Sequence, residues 1–208
     1  MLKVGLTGSI AVGKSYVLSV LSELGCATFD ADKIAHLVME PGRPAYDDIL
    51  NEFGDHVLAE DGSIDRQKLG AIVFVDGARR KRLNEIVHPR VFEEQNRLLA
   101  DAEARDPNAI AVIDAALMIE SGGYKRFDKL IVVYCDRETQ VARLMHRAGL
   151  TREAAEQRIA AQMSSEEKLR YADYRINTGG TFEETRELVI EVHTDLLRVQ
   201  RLVANPNI

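Results

Sequence analysis

Residues 2–6 (LKVGL) form a mainly apolar run that stops at Thr7-Gly8. A short apolar run ended by a glycine turn predicts a buried strand. The period then changes. Val17, Leu18, Leu21 and Leu24 recur at helical spacing, and Gly25 offers a stop just past the last of them. Residues 26–29 predict a second strand, 109–115 (AIAVIDA) a third, 130–135 (LIVVYC) a fourth and 174–177 a fifth. Runs of Ile and Val without polar alternation suit strands covered on both faces, as in a parallel sheet. Helical segments separate the runs, so the alternation predicts a doubly wound α/β fold.

The longest interruption is a helical insert at about residues 31–106. Pro41-Gly42, Pro44 and the turn Glu60-Asp61-Gly62 break its first half. Residues 76–105 read as one or two long amphipathic helices, with His88-Pro89 expected to close a helical stretch. Residues 137–172 are helical and rich in arginine. Gly149 breaks them, and Thr151 is the next N-cap. Ser164-Ser165-Glu166-Glu167 and Thr181-Phe182-Glu183-Glu184 carry capping-box spacing. The last helix places Leu188, Val192, Leu196, Val199 and Val203 on one face. The expected organisation is a core of residues 1–30, 107–136 and 173–208, an insert of 31–106 and a segment of 137–172.

Composition narrows the classes. The chain has 208 residues and a net charge of -6. That balance opposes a general grip on nucleic acid, which needs a basic face, while leaving room for a small basic pocket. No apolar run approaches the ~20 residues of a membrane span. The opening MLKVGLTG lacks the charged-then-apolar pattern of a secretory signal, so the cytoplasm is the expected compartment. Cys26 and Cys135 both lie in apolar stretches and read as buried thiols rather than a disulfide or metal site.

The chemistry concentrates at Gly8-Ser9-Ile10-Ala11-Val12-Gly13-Lys14-Ser15, which matches G-x-x-x-x-G-K-[ST] at every fixed position. It follows a strand and opens a helix, as a phosphate loop requires. Backbone amides would turn inward around phosphate, and the helix start adds its positive dipole end. Lys14 would reach the β- and γ-phosphates and Ser15 would ligate Mg²⁺. The motif specifies a nucleoside triphosphate and Mg²⁺ without specifying the reaction.

Four further features surround it. Asp30-Ala31-Asp32 closes the second strand, where ligands of open parallel sheets bind. Either carboxylate can face an acceptor hydroxyl or cap the following helix, or the two can divide these tasks. Asp114 ends an Ile/Val strand, the place of a Mg²⁺ partner in P-loop enzymes or of a simple turn residue. Arg137, Arg143, Arg147, Arg152 and Arg158 form either a mobile phosphate-binding lid or a solvated charged helix. Arg143 and Arg147 share one face. His88 reads as a structural or a substrate-binding residue, and His36 lies one turn after Asp32.

Taken together, VGLTGSIAVGKS, FDADKIAH, MEPGRPAY, LNEIVHPRV, IDAALMIESG and CDRETQVARLMHRAGLTREAAEQRIAAQM, followed by AD-x-x-INTGG, resemble the dephospho-CoA kinase family. The Asp-Ala-Asp element, the downstream His-Pro, Gln140–Arg143–Arg147 and Gln162 are its most specific features. The resemblance runs from Val4 to about Leu197. It implies a P-loop three-layer fold of the nucleoside-monophosphate-kinase type. That fold has a five-stranded parallel sheet with helices on both faces, a helical dephospho-CoA-binding insert and an Arg-rich lid. It also implies transfer of the ATP γ-phosphoryl group to the ribose 3′-hydroxyl of dephospho-CoA, the last step of coenzyme A synthesis.

Carried onto this sequence, the resemblance makes Asp32 the catalytic carboxylate and Asp30 structural. Lys14, Arg143 and Arg147 hold phosphate charge. Gly8 through Ser15, with Tyr16, cradle ATP, and Asn177 meets its base. Ser15 and Asp114 are the expected Mg²⁺ residues. Asp32, His36, His88, Leu117 and Glu120 are the expected dephospho-CoA contacts. The expected assembly is a monomer or small homo-oligomer, with no nucleic-acid or membrane partner. The sequence departs from the family where Ser9, Ala11 and Val12 replace Gly, Gly and Ser of a loop usually written GGIGSGKS. It departs again where Ala116-Leu117-Met118-Ile119-Glu120 replaces Pro-Leu-Leu-Phe-Glu. A kinase of another small alcohol or of a nucleoside monophosphate is the neighbouring reading. A P-loop switch is opposed by the lack of an N-K-x-D element.

Overall fold

The computed structural model describes residues 1–204; residues 205–208, the tail of the expected core segment, lie outside the described residues. Five strands, β1 (Leu2–Thr7), β2 (Ala27–Asp30), β3 (Ile110–Asp114), β4 (Lys129–Tyr134) and β5 (Tyr174–Asn177), form one parallel sheet in the order β2-β3-β1-β4-β5. In register, Leu6 lies beside Asp114 and Ile131. The central strand β1 therefore ends next to the carboxyl end of β3, and its continuation is the glycine loop.

The apolar runs form strands because both faces are covered. Leu2, Val4 and Leu6 of β1, Ile110 and Val112 of β3, and Ile131 and Val133 of β4 pack with helices α1 (Lys14–Glu23) and α9 (Phe182–Ala204). Val17, Val20 and Leu21 come from α1, and Val189 and Leu196 from α9. The expected α9 stripe holds through Val199, which packs against this core, but Val203 is exposed. On the other face Gly5 leaves room for a close approach. A Cβ there would lie 2.6 Å from Met118 Sδ and 2.9 Å from Leu130 Cδ1.

The chain divides into two compact units, Met1–Phe29 with the chain from Ala102 onward, and Asp30–Asp101. The second unit is helical: α2 (Ala31–Leu37), α3 (Pro44–Phe53), α4 (Arg66–Val75) and most of α5 (Gly77–Arg105). Tyr46 on α3 donates to Gly62 O at 2.6 Å and steadies the turn at Gly62.

His88-Pro89 does not end a helix; α5 runs unbroken through Pro89 for 29 residues. Lateral ties on both sides of the proline account for this. Arg79 and Arg82 pair with Glu52 of α3 before it, and Arg90 pairs with Asp48 of α3 after it. The Arg79 guanidinium also lies 5.6 Å over the Phe53 ring. These contacts hold the helical path although Pro89 donates no backbone hydrogen bond.

In the first unit, residues 137–172 fold as α6 (Arg137–Ala148), α7 (Arg152–Ala160) and a single turn, α8 (Ser165–Lys168). Gly149 ends α6 at φ 61, and Thr151 caps α7. The Ser164–Glu167 capping box forms, as does the reciprocal Thr181–Glu184 pair. Lys168 is fully buried. Its ammonium donates to Ala116 O at 2.8 Å and to both Glu120 oxygens at 2.7 and 2.8 Å. Glu120 also accepts the Met163 N–H at 3.3 Å. Burial pulls the Lys168 ammonium below the usual lysine range, and Glu120 opposes that shift.

Two stability effects are expected. Pro89→Ala restores a backbone N–H and removes a ring clash, while giving the unfolded chain more freedom. The net effect should be a gain of about 1–2 kcal/mol, seen as a higher urea midpoint at unchanged m-value. Lys168→Met should cost about 2–3 kcal/mol, below the usual ~3–5 kcal/mol for a broken buried pair because Glu120 is partly solvated. Lys168→Met with Glu120→Leu should recover most of that loss. A single variant with the wild-type midpoint would show that the tie holds nothing together.

Candidate active site

The sheet edge and the glycine loop place Lys14 at the first turn of α1 and Asp114 at the last residue of β3. Their side chains meet at 2.5 Å, Lys14 Nζ to Asp114 Oδ1, and both are largely buried. The lysine is thus held over the carboxyl edge of the sheet, beside the strand ends where the loop turns. Gly8 is required by space: a Cβ there would lie 2.5 Å from Val133 O. Gly13 is required by conformation, with φ 83 as it caps α1.

Ala11 departs from the ordinary rules. Among the described residues it is the non-glycine with a positive φ, at 62. A left-handed alanine costs about 1–2 kcal/mol. Its methyl packs, with Ile10, against the small core of Val141, Leu144, Ala155 and Ile159 between α6 and α7. The alanine that replaces the family's glycine therefore has a packing partner of its own.

The loop is braced from outside. Ser9 Oγ donates to Met163 O at 2.9 Å, and Ile10 N–H donates to Gln162 Oε1 at 2.8 Å. Gln140 Nε2 donates to Ile10 O at 2.7 Å, and Thr178 Oγ1 donates to Val12 O at 2.6 Å. The sequence marked Gln140 and Gln162 as characteristic without giving them a task. It gave no signal for Thr178 or Lys168, whose partners lie far away in the chain.

The arginines separate. Arg143 donates to Thr178 O at 2.7 Å and to Thr178 Oγ1 at 3.2 Å, so it is anchored beside the loop rather than free in a lid. Arg147 and Arg158 are exposed. Arg152 spans Glu138 and Glu156 at 2.6 and 2.9 Å, a surface ion-pair role. A cavity of about 440 Å³ opens beside Gly13, Tyr16, Arg143, Thr178, Thr181 and Phe182. The Tyr16 and Phe182 rings meet edge-on at 4.8 Å. Asn177, at the end of β5, turns its Oδ1 to the Gly179 N–H at 2.9 Å. Cys135 is buried nearby, and burial raises its thiol above the usual range; Cys26 is pushed up to about 11 by the same cause.

In the helical unit, Asp30 caps α2 by accepting from Asp32 N–H at 2.9 Å and Lys33 N–H at 3.2 Å. That leaves the Asp32 carboxylate outside the cap, and it is exposed, as is His36 one turn later. His88 is exposed on α5, its ring 6.5 Å from Phe92. Leu117 is exposed, whereas Glu120 is committed to Lys168 and Met163.

Among the described residues there is no group of three or more His, Cys, Asp or Glu fit to hold a metal, and no helix is long and apolar enough to cross a membrane. A Mg²⁺ ion carried by a nucleotide asks less of the protein: one or two hard oxygen donors beside the phosphates. Ser15, next to Lys14 in the chain, and Asp114, paired with Lys14, carry oxygens of that kind.

Comparisons with known proteins identify the family and the fold. A family model described as dephospho-CoA kinase matches residues 2–184. A dephospho-CoA kinase of Leifsonia xyli is 48% identical over 182 residues, covering 88% of this chain and 92% of the relative. One of Geobacter metallireducens is 44% identical, covering 99% and 100%. The solved dephospho-CoA kinase from Campylobacter jejuni superposes with a TM-score of 0.72 at 30% identity, covering 94% and 97% of the two chains. A shikimate kinase from Acinetobacter baumannii shares the fold at a TM-score of 0.51 and 18% identity, covering 95% and 94%. With its P-loop lysine set against the strand-end aspartate and this agreement along nearly its whole length, the chain belongs to the dephospho-CoA kinase family.

Proposed function

We propose that this kinase transfers the γ-phosphoryl group of ATP to the 3′-hydroxyl of the ribose of dephospho-CoA, completing coenzyme A. The observation that carries the reading is the Lys14–Asp114 pair at the head of the phosphate loop, in a chain whose family is defined by that substrate. Phosphoryl transfer has a loose transition state, so positioning and charge neutralisation do most of the work.

Lys14 exchanges part of its bond to Asp114 for phosphate oxygens when ATP binds, and its single compact charge follows the γ-phosphoryl group. Ser15 and Asp114 would hold Mg²⁺, which supplies further neutralisation of phosphate charge. The cavity beside Gly13, Tyr16 and Arg143 takes the nucleotide base, with Arg143 fixed by Thr178 at its border. Asn177 supports that wall by shaping the Gly179 turn, and a direct contact to the base remains its proposed second task. Arg147, exposed on α6, is the arginine left to move onto phosphate.

Asp32 orients the acceptor hydroxyl and takes its proton late in the transfer. Its freedom from the helix cap, which Asp30 supplies, supports this division. His36 and His88 are proposed to contact dephospho-CoA, with Leu117 as apolar wall. Glu120 is better assigned to holding Lys168 than to the substrate.

The direct test is ATP consumption by the purified chain with dephospho-CoA, with a nucleoside monophosphate and with no acceptor. Turnover should require dephospho-CoA; acceptor-independent turnover, or preference for the monophosphate, would overturn the assignment. Asp32→Asn should lower kcat by roughly 10²–10⁴, the range for a lost general base, and leave ATP affinity nearly unchanged. Asp30→Asn should be milder, since asparagine also caps. Equal losses in kcat at both positions would show that the two carboxylates have been assigned wrongly.

A further inference from the structure

A trans peptide carries its C=O and N–H on opposite edges of one plane. Fixing a carbonyl on one side therefore fixes the next residue's N–H on the other. In the phosphate loop two carbonyls are fixed this way by side chains from distant elements. Gln140, buried on α6, donates to Ile10 O. Thr178, buried just past β5, donates to Val12 O and is itself gripped by Arg143. The Ala11 and Gly13 N–H groups are thereby turned away from Gln140 and Thr178. Gln162 fixes the neighbouring plane in the opposite sense, by accepting the Ile10 N–H. The partners settle how the two amides are turned, because a carbonyl can only accept and a backbone N–H can only donate.

We propose that Gln140 and Thr178 are positioning residues for ATP, acting as outside clamps that keep the carbonyls of Ile10 and Val12 away from the phosphates, with Gln162 locking the plane between Ser9 and Ile10. This rests on the reading of residues 8–15 as the ATP site. The clamp matters more here than in a glycine-rich loop. Ala11 sits at φ 62, where an L side chain resists staying, and a released 10–11 peptide can relieve that strain by rotating. Rotation would turn the Ile10 carbonyl toward the anion.

The test uses hydrogen-bond direction, which a mere packing role does not sense. ATP dissociation constants of the whole chain would be measured by titration, with kcat, KM for ATP and the urea midpoint alongside. Gln140→Met and Thr178→Val should each raise Kd and KM for ATP at least tenfold, with kcat changed less. Thr178→Ser keeps the donor and should restore most of the affinity. Gln162→Glu keeps the acceptor and should restore what Gln162→Met loses. Gln140→Glu has the size but no donor, and should not restore what Gln140→Met loses. Each glutamate adds one negative charge near the loop, so their comparison cancels that effect.

Equal affinities for Gln140→Glu and Gln162→Glu, or for Thr178→Val and Thr178→Ser, would overturn the clamp. If the Gln140 variants lose their urea transition, the Thr178 pair decides. Absence of saturable ATP binding in the wild-type chain would instead overturn the phosphate-loop reading and the clamp with it. Wild-type binding with unaffected variants overturns the clamp alone.

Discussion

A loop that offers its backbone N–H groups to a phosphate cannot spend those groups on holding itself together. Secondary structure is self-satisfying because each N–H finds a carbonyl of the same element or the next strand. A phosphate loop gives up that economy. Its shape has to be imposed from outside, and much of this fold can be understood as the apparatus that imposes it. β1 delivers the chain to the sheet edge, and Val133 O presses close enough to demand glycine at position 8. Helix α6 supplies Gln140, the segment after α7 supplies Gln162 and Met163, and the end of β5 supplies Thr178. Lys168, buried under Glu120 and Ala116 O, fixes the segment that carries Gln162 to the loop after β3. Ionic and amide contacts thus form a ring of support around one turn of chain.

Ala11 shows how such a loop tolerates a poor residue. Its left-handed φ costs about 1–2 kcal/mol relative to glycine. Burying a methyl-sized group returns about 0.8 kcal/mol. The methyl touches the α6–α7 core, so the alanine exchanges conformational ease for a contact that joins the loop to the Arg-rich helices. The two magnitudes are of the same order, which is why the substitution is compatible with the fold. The same contact makes the loop's geometry depend on where α6 and α7 lie. A glycine would leave that dependence to Ile10 and Gln140 alone.

Much of this was legible in the sequence, and the reason differs by feature. The strands could be read because a parallel sheet covered on both faces leaves a continuous apolar run, as in IAVID and LIVVY. Residues 174–177 were located to their ends. The phosphate loop could be read because its chemistry needs fixed residues at fixed spacing. The caps at Thr151, Ser164 and Thr181 could be read because capping is local, reaching three residues at most, whereas at Asp30-Ala31-Asp32 local logic leaves two candidates and only the family resemblance favours Asp30, which is the cap. Pro89 defeats the same local logic, since it lies inside α5. Its neighbours on α3, Glu52 and Asp48, lie about forty residues away and hold the helix together across it. Lys168, Thr178 and the tasks of the two glutamines were not legible, because each contact spans a separation that no periodicity records. Lys168 in particular follows the capping box with no sequence signal of burial, yet it is fully buried.

The arginines carry the argument one step further. Five arginines between positions 137 and 158 suggest a common purpose, but charge alone does not assign a role; the partner does. Arg152 has two carboxylates within reach and uses them at the surface. Arg143 has a backbone carbonyl and a hydroxyl, neutral acceptors that fix its position without an ion pair among the described residues. A guanidinium held by neutral groups is better placed to take an incoming anion than one already paired with carboxylates. The same reasoning separates Lys14 from Lys168. Both meet a carboxylate, but Lys168 is sealed from solvent with its donors placed on Glu120 and Ala116. Lys14 keeps some exposure and, among the described residues, one ion-pair partner, so it can be shared with a ligand. Within one sheet edge, the fold thus uses one lysine as a fixed tie and holds the other in a place from which it can be recruited.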